Sequence, residues 1–199
     1  MKPIILSLFT LLLLASCNKA VDDLINKKIS STATAKSATT NYIIKQDEHY
    51  CEQNYYKTIE TDELKFSVLF DSSAIYKTID PVNQYDINKL YGFSDNGAQH
   101  HQFSARFGWR WSDGALRLFA YIYNNGIVSS KEVGVISIGQ EITCSIKVLA
   151  NEYIFTMNDQ AVHMPRQSTT PKAEGYKLYP YFGGDETAPH AIMIRIKNL

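Results

Sequence analysis

The chain has 199 residues, and its 20 Lys and Arg balance its 20 Asp and Glu, so the formal net charge is zero. A balanced chain lacks the clustered basic surface with which proteins attract nucleic acid, so we do not expect nucleic-acid binding. Once the N-terminal segments described next are set aside, the remaining length suits one domain with its own hydrophobic core.

The N-terminus carries the pattern of a secretion signal. Lys2 precedes an apolar stretch over residues 4–14, which is shorter than the roughly 20 residues of a spanning helix and has the length of a signal-peptide core. Small residues then run directly into a cysteine, in the order Leu14-Ala15-Ser16-Cys17. This order resembles the lipobox of bacterial lipoproteins, which implies a signal peptide over residues 1–16 and lipid on Cys17. An ordinary secretion signal followed by an incidental cysteine is the alternative.

The lipobox resemblance also implies a location in the cell. Lipidation would hold the protein on a membrane that it does not cross, since each buried methylene contributes about 0.8 kcal/mol. Asn18 at the second mature position differs from the Asp that retains lipoproteins at the inner membrane, so we expect the cell envelope, at the outer membrane.

A change of composition separates the anchor from the domain. Residues 17–41 are rich in Ser, Thr and Ala and have little apolar surface to bury, which predicts a flexible tether, with a short helical turn over 20–29 as an option. Residues 42–199 are expected to form a single, monomeric domain.

Alternation of apolar and polar residues dominates this domain. A period of two over four to nine residues is typical of half-buried strands. We predict strands over 63–70, 102–111, 115–123, 142–148, 152–157, 160–164, 176–182 and 191–197. Turns are predicted at Ser112-Asp113-Gly114, Asn124-Asn125-Gly126, Ala150-Asn151 and Asn158-Asp159. Many short strands with tight turns and no helical period predict an all-β antiparallel sandwich.

Two segments carry a family resemblance. Residues 152–162 read Glu-Tyr-Ile-Phe-Thr-Met-Asn-Asp-Gln-Ala-Val, and residues 179–190 lead into the apolar positions Ile192, Ile194 and Ile196. Both segments resemble strands of concanavalin A-like (lectin/glucanase) jelly rolls, although Asp159 stands where the family usually has Gly. The resemblance covers about residues 42–199 and implies a jelly-roll sandwich with a groove on one sheet.

The side chains of the central strands that point away from the core are the candidate groove residues. If strand 102–111 buries its odd positions, Trp109 and Trp111 belong to the core, and the even positions with their neighbours on two other strands line the groove. The candidates for ligand binding are Gln102, Arg106, Arg110, Arg117, Tyr121, Tyr123, Lys177, Tyr179 and Tyr181. Cationic donors beside tyrosine rings suit a saccharide, above all an acidic one. Cross-strand pairs on a solvated face are the alternative reading.

The jelly-roll resemblance offers two kinds of catalysis. Retaining glycosidases need two carboxylates about 5 to 5.5 Å apart, and the clustered-acid motif of that group is absent from this sequence. Alginate-lyase-like proteins combine Arg, Gln, His and Tyr in motifs that this chain echoes only in part. A lyase acting on a uronate-containing polymer would use His101, Arg106 and Tyr181.

Metal and disulfide chemistry remain open. His100 and His101 are expected on opposite faces of a strand, so no metal site is predicted and no cofactor is expected. Gly183-Gly184-Asp185-Glu186 is a calcium candidate, although the same residues equally suit a solvated turn. Cys51 and Cys144 either form a disulfide or stay as separate buried thiols, and the second is slightly favoured.

The leading hypothesis is an envelope lipoprotein that binds a polysaccharide or oligosaccharide without cleaving it. A polysaccharide lyase and an envelope protein-protein scaffold are the alternatives.

Overall fold

The computed structural model describes residues 38–199, so the proposed signal peptide, Cys17 and nearly all of the tether lie outside the described residues. Within this range the chain forms twelve strands and two short 3-10 turns. The strands are β1 (Thr39–Ile44), β2 (Thr58–Thr61), β3 (Glu63–Phe70), β4 (Asn88–Ser94), β5 (Ser104–Ser112), β6 (Ala115–Asn124), β7 (Ile127–Ile136), β8 (Glu141–Val148), β9 (Glu152–Met157), β10 (Gln160–Pro165), β11 (Ala173–Leu178) and β12 (Ile192–Asn198). The 3-10 turns are Ser72–Ala74 and Pro81–Tyr85.

The strands make two six-stranded sheets. The back sheet has the order β1-β12-β3-β8-β9-β10, and the front sheet has the order β2-β11-β4-β5-β6-β7. Neighbouring strands are antiparallel in both sheets. The predicted antiparallel jelly-roll sandwich is therefore confirmed, and it buries one face of each sheet against the other.

Aromatic side chains fill the space between the sheets. Phe107 of the front sheet lies between two rings of the back sheet, with ring centroids 5.8 Å from Phe66 and 5.2 Å from Phe155. Trp109 is fully buried, and Trp111 packs against the edge of the core. Burying one such side chain stabilises the fold by about 1.5 to 3 kcal/mol, so the odd positions of β5 hold the sandwich together.

Two hairpins follow from glycine-containing turns. Asp113-Gly114 joins β5 to β6 and Asn125-Gly126 joins β6 to β7, and all four residues have positive φ. This is the two-residue turn whose twist matches that of the flanking strands, and Asn, Asp and Gly tolerate its backbone best. The central register of the front sheet is therefore set locally.

The structure differs from the sequence prediction at several boundaries. β1 begins at Thr39, where it pairs with Lys197, so the back sheet includes residues before the expected domain boundary at residue 42. The strand predicted over 176–182 is instead β11, which ends at Leu178, because Pro180 has no N–H to donate to a ladder. Strands β1, β2, β4 and β7 were not predicted at all. β7 exposes its first six residues, and β4 buries both faces, so neither strand shows a clean alternation.

Both cysteines in this range are buried and free. Cys51 follows β1, and Cys144 lies on the core face of β8. The disulfide alternative therefore does not form in this structure. No helix among residues 38–199 is long and apolar enough to cross a membrane.

Candidate functional site

A cleft of about 420 Å³ lies on the outer face of the front sheet. The segment that links β1 to β2 forms one wall, and the segment that follows β11 contributes another part. The lining residues are Tyr50, Asn54, Tyr55, Tyr56, Lys89, His100, His101, Ser104, Arg106, Tyr121, Tyr123, Tyr176, Lys177, Leu178, Tyr179, Pro180 and Tyr181. The cleft therefore combines cations, imidazoles and many tyrosines.

Arg106 of β5 lies on the cleft floor. It pairs across the sheet with Gly92 of β4 and with Tyr121 of β6, so these three positions share one face. A Cβ at position 92 would lie 2.2 Å from the Ala105 carbonyl oxygen and 2.4 Å from the Arg106 Cβ, so only glycine allows β4 to approach β5 this closely. We infer that Gly92 is required by close packing rather than by its backbone dihedral angles.

The Arg106 guanidinium is buried without a carboxylate. Its side chain is only 7% exposed, its Nη2 donates to the Tyr179 carbonyl at 3.1 Å, and its Nε has no partner. Burial lowers the pKa of Arg106 to about 10, which still leaves the group charged at neutral pH. A buried charge of this kind is costly unless an opposite charge is bound beside it.

A second unpaired polar atom lies next to this arginine. Ser104 Oγ is buried, lines the cleft and has no hydrogen-bond partner. Within residues 38–199, the buried side-chain polar atoms without partners are Ser104 Oγ, Arg106 Nε, Trp109 Nε1 and Tyr179 OH. Three of these four belong to cleft residues. Native proteins leave few such atoms unpaired, so the protein itself leaves the polar groups around Arg106 incompletely satisfied.

Lys89 adds a second cation to the floor, through an irregularity of β4. The β4–β5 register shifts between Lys89 and Gly92, so the strand changes which side chains it turns toward the cleft. The Lys89 Nζ lies 4.6 Å from the Tyr121 ring centroid. Burial, with a further contribution from Arg106, lowers the pKa of Lys89 to about 8. The two cations repel each other, and an anion between them would relieve this repulsion.

Tyrosines supply the walls and the rim. Tyr50, Tyr55 and Tyr56 are more than half exposed and belong to the segment between β1 and β2. The Tyr50 ring packs edge-on against Tyr181, with centroids 4.8 Å apart. Burial raises the pKa of both Tyr121 and Tyr181, so these hydroxyls stay protonated and act as hydrogen-bond donors. Flat rings with donating hydroxyls suit the apolar faces and oxygens of sugar rings.

The two adjacent histidines lie together, contrary to the prediction of opposite faces. His100 and His101 belong to the turn that precedes β5, and both line the cleft with ring centroids 4.2 Å apart. Strand alternation does not apply in a turn, which is the reason for the error. Tyr176 OH lies 2.9 Å from His100 Nδ1, and burial, followed by the charge of His101, lowers the pKa of His100 to about 4. His100 is therefore neutral at neutral pH.

The structure brings together six of the predicted ligand-binding residues. These residues line the cleft, namely Arg106, Tyr121, Tyr123, Lys177, Tyr179 and Tyr181. The ammonium group of Lys177 donates to Tyr91 OH at 2.9 Å, so this lysine is engaged inside the protein. His101, proposed for the lyase alternative, lines the same cleft.

The other three predicted residues lie elsewhere. Gln102 precedes β5 and lies beside the β6–β7 hairpin, because the strand begins two residues later than predicted. Arg110 donates to the Tyr85 carbonyl at 2.7 Å, and Arg117 pairs with Glu132 at 3.0 Å. Both arginines have protein partners outside the cleft, so their assignment to the groove is corrected.

Several lining residues were missed by the sequence reading. Lys89 and His100 were missed because an unpredicted strand and an unpredicted turn position them. Tyr50, Tyr55 and Tyr56 could have been identified from the sequence, since three aromatic residues in seven positions of a polar segment are unusual. Loop residues of this kind are frequent in binding sites.

Carboxylates are absent from this cleft. All of its lining residues are within the described range, and none of them is Asp or Glu. Two carboxylates flanking the scissile bond are the requirement for most glycosidases, so this cleft does not fit that chemistry. Residues 38–199 also contain no group of three or more His, Cys, Asp or Glu placed to hold a metal ion.

The loop proposed for calcium has a structural role. The Glu186 carboxylate accepts hydrogen bonds from the backbone N–H groups of Ile79 and Asp80, both at 2.8 Å, and from Asn83 Nδ2 at 2.9 Å. These donors lower the pKa of Glu186. Its oxygens therefore fix the segment around the second 3-10 turn, and calcium binding here stays a prediction.

Comparisons with known proteins identify relatives by structure alone. No family model and no curated protein matches the chain in sequence. Among solved structures, alginate lyase AlyC3 matches with a TM-score of 0.55 and 9% identity over 81% of this chain and 74% of that one. Alginate lyase vAL-1 from Chlorella virus matches with a TM-score of 0.50 and 13% identity over 82% of this chain and 87% of that one.

A glucanase gives a similar result. The laminarinase catalytic domain from Thermotoga maritima matches with a TM-score of 0.51 and 9% identity over 83% of this chain and 80% of that one. At such low sequence identity, these structural similarities show a shared fold and do not show a shared reaction. The chain thus has the concanavalin A-like jelly-roll fold that these lyases and this glucanase share.

Proposed function

We propose that this protein is an envelope-anchored lipoprotein that binds an acidic polysaccharide in the cleft without cleaving it. The observation that carries the proposal is the buried Arg106, whose Nε has no partner in a cleft that contains cations but no carboxylate. A uronate carboxylate bound in the cleft would supply the opposite charge that the floor lacks, because charge-assisted hydrogen bonds and ion pairs between a cationic side chain and a carboxylate are strong. The protein would thus supply the cation, and the glycan would supply the anion.

The tyrosines support a sugar rather than a small inorganic anion. Stacking of a sugar face on Tyr121, Tyr123 or Tyr181 would add contact area beside the charged group, and the protonated hydroxyls would donate to ring substituents. Mostly apolar walls with a few convergent polar groups are the usual makeup of a ligand site. That two fold relatives are alginate lyases agrees with an acidic glycan as the ligand.

Binding experiments with defined polymers test this proposal. Calorimetric titration with alginate and polygalacturonate should give saturable binding, whereas neutral laminarin should bind weakly or not at all. Because the net charge of the chain is zero, a higher affinity for the acidic polymers would come from the cleft and not from attraction by the overall charge of the protein. Equal binding of neutral and acidic polymers, or binding of neither, would refute the acidic-glycan proposal.

The anchor requires a separate test. Intact-mass measurement of the membrane fraction should find lipid on Cys17 and no residues before it. A Cys17→Ala variant should lose the lipid and leave the membrane. An unmodified cysteine in the mature wild-type protein would overturn the lipoprotein part of the proposal and leave the glycan-binding part standing.

A lyase is the second candidate, because His101, Arg106 and Tyr181 line one cleft. In a β-elimination, Arg106 would neutralise the uronate carboxylate, His101 would accept the proton next to it, and Tyr181 would donate a proton to the departing glycosidic oxygen. The raised pKa of Tyr181 suits a proton donor better than a base. The unsaturated product absorbs in the ultraviolet, so a rise in absorbance on adding alginate, lost in His101→Ala, would favour the lyase over simple binding.

A further inference from the structure

The hydroxyl of Tyr176 joins β11 to the turn that precedes β5. It lies 3.1 Å from the backbone N of His100, 2.9 Å from His100 Nδ1 and 3.0 Å from Gln99 Oε1. The tyrosine itself is held in place, since its backbone N–H donates to Ser94 Oγ at 2.9 Å and its ring packs against Tyr56 with centroids 5.5 Å apart. One phenolic group thus has three hydrogen-bond partners in a fixed place.

These three contacts determine which nitrogen of His100 carries the proton. A hydroxyl has one proton to donate and two lone pairs that accept. The backbone N–H of His100 only donates and Gln99 Oε1 only accepts, so the hydroxyl proton goes to Gln99. His100 Nδ1 must then donate to the remaining lone pair. A neutral imidazole protonated at Nδ1 has an unprotonated Nε2, which is a hydrogen-bond acceptor.

This acceptor is accessible. Burial, followed by the charges of His101 and Arg106, lowers the pKa of His100 to about 4, so the imidazole is neutral at neutral pH. Among the described residues, His100 Nε2 has no hydrogen-bond partner, and it is not one of their buried unpaired atoms. Solvent therefore reaches Nε2 of a residue that lines the cleft.

An acceptor supplies what the cations of the cleft cannot. Lysine and arginine side chains only donate, and none of the lining residues is Asp or Glu. Sugar hydroxyls both donate and accept, and a hydroxyl proton that leaves water without a new acceptor weakens binding. An acidic glycan carries hydroxyls as well as carboxylates, so it is bound best by a site that offers cations and an acceptor together.

We infer that His100 Nε2 accepts a hydrogen bond from a hydroxyl of the bound glycan, and that Tyr176 is the positioning residue that orients the imidazole and sets its tautomer. This inference rests on the proposed function and names the group that recognises the hydroxyls of the ligand, in addition to Arg106, which recognises its charge.

Nitrogen NMR of isotope-labelled protein tests the tautomer and the contact. In the free protein, His100 Nδ1 should have the chemical shift of a protonated imidazole nitrogen and Nε2 that of an unprotonated one, and saturating alginate should move the Nε2 signal. A protonated Nε2, or an Nε2 signal that saturating alginate leaves in place, would overturn the inference and leave acidic-glycan binding intact. Absence of alginate binding would remove both.

A second ligand separates recognition of hydroxyls from damage to the cleft. Polyacrylate has carboxylates and no hydroxyls, so the wild type should bind it more weakly than alginate. His100→Phe keeps a ring and removes the acceptor, so its affinity for alginate should fall roughly two- to tenfold, the loss expected for one neutral hydrogen bond. Its affinity for polyacrylate should not fall. An equal fall for both polymers would refute the role of His100.

The positioning role of Tyr176 is tested by combining variants. Tyr176→Phe should let a protonated Nε2 appear in the NMR spectrum and lower alginate affinity by no more than His100→Phe does, and the double variant should bind as His100→Phe alone. Tyr85→Phe is the matched control, because it removes the hydroxyl of an exposed tyrosine outside the cleft and should change neither quantity. Additive losses in the double variant would contradict action through His100.

Discussion

The two buried arginines of this protein have opposite surroundings. Arg166 follows β10 and forms an ion pair with Asp95, with Nε 2.8 Å from Oδ2 and both side chains fully buried. Arg106 is equally buried, on the floor of the cleft, and has no carboxylate beside it. The same side chain is thus satisfied by the protein in one region and left incomplete in the other.

The Arg166 region is saturated with hydrogen bonds. Asp95 also accepts from Ser168 Oγ at 2.7 Å and from Tyr153 OH, which belongs to the back sheet. Arg166 Nη2 donates to the Lys172 carbonyl at 3.0 Å. Burial alone would raise the pKa of Asp95, but the bonds from Arg166, Tyr153 and Ser168 outweigh it and hold the pKa below its usual value. This network joins the two sheets to the segment before β11.

The difference separates a structural role from a binding role. When one partner of a fully hydrogen-bonded buried ion pair is removed, the folded protein loses much stability, because the other charge is left unpaired in the interior. A buried cation with an unpaired N–H is costly in the free protein, and a bound anion would recover that cost. Substitutions in the two regions should therefore have opposite effects on folding and binding.

The largest expected effect is on stability, at Asp95. Asp95→Ala leaves the Arg166 charge buried and unpaired, so the free energy of unfolding should fall by about 3 to 5 kcal/mol. Urea denaturation measures this. The control is Asp113→Asn, which removes the charge of an exposed partner of Arg117, keeps a residue that tolerates the positive φ of the turn, and should cost less than about 1 kcal/mol. A similar loss in both variants would contradict the structural role of the network.

Arg106→Met should weaken glycan binding and should not lower the stability of the fold. Affinity for alginate should fall roughly 10- to 150-fold, since a hydrogen bond to a charged group contributes about 1.5 to 3 kcal/mol. The free energy of unfolding should stay the same or rise, because the substitution removes an unpaired buried charge. Calorimetry and urea denaturation give the two quantities. A large loss of stability would place Arg106 in the same structural class as Arg166.

Lys89 makes binding depend on pH. Its pKa of about 8 lies below the usual lysine value of 10.5, so the ammonium group loses its proton as the pH rises through 8. Affinity for the anionic glycan should then fall about fivefold, corresponding to ~1 kcal/mol. Lys89→Arg should bind equally at pH 7 and pH 9. A fall of the same size in this variant would assign the dependence to another group.

The same shift predicts a stability change of opposite sign. Between pH 8 and 10.5 the unfolded chain binds more protons than the folded one at this position, so the Lys89 contribution to the free energy of unfolding rises with pH. Urea denaturation of wild type and Lys89→Arg across this range isolates it. Binding and stability should therefore change in opposite directions with pH.

The smallest effect is expected at Arg117. It pairs with Glu132 on the surface of the β6–β7 hairpin and lies outside the cleft. Arg117→Gln should leave the affinity for alginate unchanged and cost less than about 1 kcal/mol of stability. A clear loss of binding in this variant would mean that the ligand extends beyond the residues that line the cleft.

Local patterns predicted much of the sandwich. The alternation in 63–70, 102–111 and 142–148 predicts the strands β3, β5 and β8, because a sheet with one buried face needs apolar residues at every second position. Asp113-Gly114 and Asn125-Gly126 predict their hairpins because few other residues adopt a positive φ at low cost. These features depend on residues close in sequence, so the sequence is sufficient to read them.

The cleft was predicted only in part. Arg106 and Tyr121 follow from strand parity and cross-strand register. Lys89 depends on an irregularity in β4. Nothing in the local pattern of Arg110 or Arg117 indicates that Tyr85 and Glu132 would bind them outside the cleft. Contacts between segments far apart in sequence are what the pattern could not provide.

By its sequence alone, this chain determined a lipobox-like N-terminus, an all-β antiparallel class and the side of β5 on which Arg106 lies, because each depends on composition or on a period of two. Only the tertiary structure decided that Arg106 has no carboxylate within its cleft and that Arg166 has one in Asp95. Whether a buried charge is paired depends on which distant segment packs against it, and that is settled when the two sheets and their connecting segments come together.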